Sequence, residues 1–184
     1  MLSIAKPFII WAAYPALVDY FSGDHSRAAL VCLALVIFIS FDNLRRGFII
    51  DWTAVAFFIA VLVLEVTLEP LWILTYPLVL ISGLYTIVAA FSLLAGKPYT
   101  LQYARERTPE PYWFEESFIT INYHLTGMWI AIFFASFVLS VLAAIFPNYW
   151  PIFVLARDCL IAIGLVVPDQ YPDYYLRRKA RADA

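Results

Sequence analysis

Six stretches of the chain are apolar enough to sit in lipid, and short segments rich in polar residues, Pro and Gly separate them. A helix rises 1.5 Å per residue, so roughly 20 apolar residues cross the hydrocarbon of a bilayer. Leu71 to Ala95 is uncharged throughout and is the clearest span, with Pro77 predicting a kink. Ser117 to Phe146 contains one ionisable residue, His124, and is long enough to cross at a tilt. Phe48 to Leu68 carries Asp51 and Glu65 near its ends, and Tyr149 to Val167 carries Arg157 and Asp158 inside it. Ala28 to Phe41 is uncharged but short, and Pro7 to Phe21 is interrupted by Pro15 and Asp19. The pattern predicts an all-α, polytopic transmembrane bundle in one domain, 1–184. Its six spans fall over 7–22, 28–42, 48–68, 71–95, 117–146 and 149–167. The two short N-terminal segments have an alternative as a re-entrant hairpin, which would draw Asp24, His25 and Arg27 into the membrane at considerable cost.

The boundaries agree with these elements. Ser22-Gly23-Asp24, Asp42-Asn43, Glu69-Pro70, Gly96-Lys97-Pro98 and Pro147-Asn148 all read as turns or helix stops. Tyr20, Trp52, Trp72, Tyr99, Tyr112, Trp113, Tyr149 and Trp150 gather at the span ends, as an aromatic belt at headgroup depth does. Composition supports the same class: 64% of residues are apolar and 14% charged, against near half and a quarter in soluble domains. A soluble fold of this length has no interior large enough for that much apolar surface. No cleavable signal peptide is expected, since only Lys6 precedes the first apolar run and no cleavage site follows it.

Charge distribution sets the orientation. With the N-terminus inside, the inner face holds Lys6, Arg45, Arg46, Lys97, Arg105, Arg107, Arg177, Arg178, Lys179 and Arg181, ten of the twelve basic residues. The outer face holds Arg27, and Arg157 lies in a span. This positive-inside bias places both termini in the cytoplasm, and the hairpin alternative keeps the same parity. Two segments lie on that face. The loop 96–116 holds a helical turn or two between Pro98 and Pro109. There Tyr99 and Tyr103 share a side while Arg105, Glu106 and Arg107 face water. With Trp113, these residues form either an interfacial connector or a docking surface for a partner. The tail 168–184 carries Arg177, Arg178, Lys179 and Arg181, a cluster that attracts anionic lipid or anchors the topology.

Charge within a span must be satisfied. Arg157 and Glu65 lie about 9 Å and 8 Å in from the outer face, with Asp19 somewhat shallower. An outer-leaflet polar cluster of Asp19, Glu65, Arg157 and Asp158, with Glu69 at its mouth, is therefore expected. Arg157 and Asp158 point 100° apart and are not expected to face each other. The cluster is either an interhelical ion-pair network or a relay or pocket for a polar group. His124 reads as a satisfied polar contact or a lone ligand. Asp42 and Asp51 read as solvated loop charges. No nucleotide loop, HExxH, GxSxG or Cys/His cluster exists, so neither a metal site nor a cofactor nor a nucleic-acid partner is expected.

Three stretches carry a resemblance. They are Gly96-Lys97-Pro98 closing a span, then Pro109-Glu110-Pro111-Tyr112-Trp113, then Trp129-Ile130-Ala131-Ile132-Phe133-Phe134. They resemble the bacterial intracellular septation protein A family of inner-membrane proteins, usually described with five spans. The resemblance implies envelope or cell-division support through other integral membrane proteins, and it supplies no catalytic residues. The leading expectation is a non-catalytic scaffold or accessory subunit in a bacterial inner membrane. The others are a small transporter or channel built on the charged cluster, and a membrane enzyme or cofactor-binding subunit.

Overall fold

The computed structural model describes the backbone of residues 2–67 and 76–182, with side chains for all of these except 2–8, 12, 66 and 67. Every regular element among them is helical. Six long helices make up most of them: α1 (Leu2–Tyr20), α2 (His25–Ile39), α4 (Ile49–Thr67), α5 (Pro77–Leu94), α7 (Glu116–Ile145) and α8 (Trp150–Ala182). Two short ones, α3 (Phe41–Arg45) and α6 (Thr100–Arg105), lie at one end. α5, α7 and the run Pro147–Ala182 that holds α8 are long and apolar enough to cross a membrane, and α2 is a shorter apolar helix.

Local chemistry sets most of the ends. Ser22 and Gly23 take positive φ between α1 and α2, and the Asp24 carboxylate accepts the Arg27 amide at 2.9 Å to cap α2. Pro77 begins α5 instead of kinking a longer helix, because a residue without an N–H fits the first turn. The part of that expected span before Tyr76, with Glu69 and Trp72, lies outside the described residues. The tail is the larger departure. α8 does not end at Val167 but runs through Pro168 and Pro172 to Ala182. Its far half is held against the start of α7, where Tyr171 and Tyr175 pack on His124 and Lys179 reaches Glu116 at 3.7 Å. That packing offsets the hydrogen bonds that the prolines remove.

The helices form two groups. α2 packs on α4 and α1, while α7 packs between α5 and α8. An aromatic seam joins the groups. Trp11 stacks on Phe58, meets Phe57 and Tyr85 edge-on, and donates its indole N–H to the Tyr85 hydroxyl. Tyr85 lies against Phe133, which lies against Trp129. α7 turns one continuous stripe inward: Asn122, Thr126, Trp129, Phe133, Ser136 and Ser140 are all buried. α8 meets that stripe at Gly164, its one buried residue. A Cβ there would lie 2.8 Å from Ile132 Cδ1 and 2.9 Å from the Trp129 ring. Small residues let helices approach in this way.

The ends of the bundle differ. α3, α6, the start of α7 and the far part of α8 meet at one, through the Arg46–Glu106 and Arg107–Asp169 ion pairs. The α1–α2 turn and the Pro147–Tyr149 turn border one cavity at the other. Gly164→Ala should push α8 off the Trp129 ring and lower stability by about 1–3 kcal/mol, measured by unfolding in mixed micelles.

Candidate functional site

The most buried charge is one that its place in the sequence assigns to water. Asp51, in the first turn of α4, has 0% exposure. Asn43 Nδ2 donates to its Oδ2 from α3 at 3.1 Å, and the Tyr103 hydroxyl donates from α6 at 2.9 Å. The solvated reading of Asp51 is thus corrected, because α6 folds back over the start of α4. Burial, then the nearby Asp51 charge, raises the Tyr103 pKa well above that of an ordinary tyrosine, so this phenol stays a donor.

α6 is fixed from both sides. Gln102 Oε1 accepts the Ile49 amide at 3.0 Å and its Nε2 donates to the Gly47 carbonyl at 3.3 Å. Thr100 Oγ1 donates to the Asn122 carbonyl at 2.9 Å and lies 2.8 Å from Thr126 Oγ1. Tyr99 and Tyr103 share a side as expected, but that side faces the interior, with 2% and 6% exposure. They offer a partner no outer surface: Tyr103 lies against Phe48, Asp51 and Tyr99, and the Tyr99 amide donates to Ser92 Oγ of α5. Arg105 and Arg107 do face water. Arg105 lies over the Trp113 ring at 5.2 Å, and Trp113 donates to the Thr108 carbonyl at 2.7 Å.

The residues of the expected outer polar cluster do not converge. Glu65 accepts from Ser26 at 2.7 Å, beside a Tyr14–His25 contact of 3.2 Å. Asp19 is exposed and borders the cavity at the α1–α2 turn, about 680 Å³, with His25 and Trp150. Arg157 instead pairs with its neighbour: its Nη2 and Nε reach Asp158 Oδ1 at 2.6 and 2.9 Å. The 100° separation holds for the Cα–Cβ bonds, and the long Arg side chain swings across it. Among the described residues no hydrogen bond or ion pair joins Asp19, Glu65 and Arg157. Arg157 and Asp158 line a cavity of about 260 Å³ with Trp11, Tyr85, Ser82 and Ser136, and the Ser136 hydroxyl has no hydrogen-bond partner among the described residues.

A third cavity, about 300 Å³, opens among α6, α7 and α8. Arg107 and Asp169, paired at 3.3 Å, stand at its rim, with Tyr103 and Asn122 inside. His124 is nearby and exposed, its Nδ1 2.7 Å from the Tyr171 hydroxyl. In the extension of α8, Arg177, Arg178 and Arg181 are exposed and Lys179 reaches Ser117 at 3.5 Å.

No family model, curated protein or solved structure matches the chain.

Its sites are therefore read from geometry. Among the described residues no group of three His, Cys, Asp or Glu side chains is placed to hold a metal ion. Beyond Asn43, read only as a turn residue, and Asp51, read as solvated, the polar residues that the sequence reading passed over are Thr100, Gln102, Asn122 and Thr126. Asn122 and Thr126 had a signal, being polar positions four apart on an apolar helix. Gln102 had none, since its partners Ile49 and Gly47 are 53 and 55 positions away. Tyr103→Phe removes a donor from a buried carboxylate and should cost about 1.5–3 kcal/mol. In a thermal-unfolding cycle with Asp51→Asn, the two losses should be clearly less than additive.

Proposed function

We propose that this is a six-span bacterial inner-membrane protein with both termini in the cytoplasm, acting without catalysis as a scaffold or accessory subunit of a membrane complex. The septation protein A resemblance points the same way. The observation that carries the reading is the outward side of α8. Ile152, Leu155, Ile163 and Val166 are all exposed there at helical spacing. Asp158 is 55% exposed in the same stretch, about 12 Å along the helix from Trp150. Lipid tolerates the leucine and isoleucines but solvates a carboxylate poorly, even one paired to Arg157. A neighbouring protein helix laid on this side would shield it.

A photo-crosslinking residue at Leu155 or Ile163, irradiated in native membranes, should give a discrete adduct with a second membrane protein. Adducts with lipid alone, and a lone monomer after gentle detergent extraction, would sink the reading.

A second reading, a small carrier, is favoured by the cavity reaching Arg157 and Asp158. Arg157→Leu separates the two. A folded variant that loses a proton flux shown by wild-type proteoliposomes would support the carrier. On the scaffold reading, wild-type proteoliposomes are no leakier than empty ones, and the variant is destabilised because Asp158 loses its cation.

A further inference from the structure

α8 meets the bundle at Gly164 and turns its opposite side outward. At about 100° per residue, Ile152, Leu155, Cys159, Ala162 and Val166 fall within about 40° of one line along the helix, and that line lies about 160° around from Gly164. All five are exposed. They recur three and four apart, the repeat along which two helices pack as a seam. Cys159 and Ala162, in the middle, are small enough for a close approach. Lipid tails cover such a stripe as well as protein does, so the apolar part alone names no occupant.

The continuation of the line does. Past Val166 it reaches Asp173 and Arg177, both exposed. They are opposite charges four apart, the spacing at which a pair closes within one helix. Among the described residues neither makes an ion pair. Two copies of the chain in one bilayer share an orientation, so a two-fold axis between them runs along the membrane normal and their α8 helices lie parallel. Each residue then sits level with its own counterpart. Asp173 lies about 20° to one side of the line and Arg177 about 20° to the other. Across the axis, Asp173 of one copy therefore faces Arg177 of the other, and the reverse. The two are about 6 Å apart in height, within reach of an arginine side chain. A different partner would have to present a matching acid and base at those two heights, and a second copy does so by symmetry.

We propose that the outward line of α8 is a homodimer interface. Two copies pack in parallel along Ile152 to Val166 and close two reciprocal Asp173–Arg177 ion pairs beyond it. The proposal rests on the scaffold reading above and names the partner on α8 as a second copy of this chain.

Cys159 supplies the probe, since it is exposed and Cys32 is buried. In native membranes, oxidation with copper phenanthroline should join two chains into a reducible species of twice the 21.0 kDa chain mass. Cys159→Ser should abolish that species, and Cys32→Ser should leave it. Phe38→Cys in the Cys159→Ser background, on the exposed side of α2, should give none. An equal yield there would mean random collision and overturn the proposal. Asp173→Arg should slow the cross-linking about fivefold, and adding Arg177→Asp should restore it. Both positions are exposed on the tail, so neither change disturbs the core. An unchanged rate in Asp173→Arg, or no doubled species at all, overturns the homodimer. In that event a Leu155 photo-adduct with a different membrane protein leaves the scaffold reading standing, and adducts with lipid alone remove both.

Discussion

A carboxylate in an apolar interior is tolerated when donors surround it, and the loss of one donor leaves several kcal/mol of solvation unreplaced. Asp51 meets this condition with groups from two other elements, Asn43 of α3 and Tyr103 of α6. Tyr103 reaches it because α6 is docked, and α6 docks through Gln102 on the start of α4 and Thr100 on α7. One buried charge thus ties the loop between α5 and α7 to both helix groups. The same docking forms one wall of the cavity that Asn122 lines. The Arg46–Glu106 pair on the outside of this assembly is solvent-exposed and adds little by comparison.

Helical content and turn positions were legible in the chain because they depend on local chemistry. Ser22-Gly23-Asp24, Gly96 and Pro147 act on their own backbone, and the helix ends fall beside them. The buried stripe of α7 was legible too: its polar members recur every three or four residues with Trp129 and Phe133, which marks an inward side where the outside is apolar. What failed was the reading of each charge by its distance from a span end. Asp51 looked exposed since the helix that closes over it, α6, brings Tyr103 from 52 positions away. Asp19, Glu65 and Arg157 looked like one site because depth fixes height and says nothing of which helix sides meet. Proline as a stop at 168 failed for a similar reason, since the contacts that keep α8 continuous come from residues more than 40 positions earlier.

α8 joins these threads. It touches the bundle through a glycine and exposes most of its length. Its middle carries the Arg157–Asp158 ion pair at the cavity shared with Trp11 and Tyr85, and its far part closes the cavity among α6, α7 and α8 with Pro168 and Asp169. A single helix therefore borders both cavities, and a change in its tilt would alter both.

The stiffness of α8 has an electrostatic consequence. A flexible tail would let its basic residues fold back onto anionic headgroups. A continuous helix instead carries Arg177 about 15 Å and Arg181 about 21 Å along its axis beyond Val167. At physiological salt the attraction between exposed charges decays over about 8 Å. The basic cluster is thus kept at a fixed distance from the apolar part of the same helix, and a surface lying beside that part feels little of its charge.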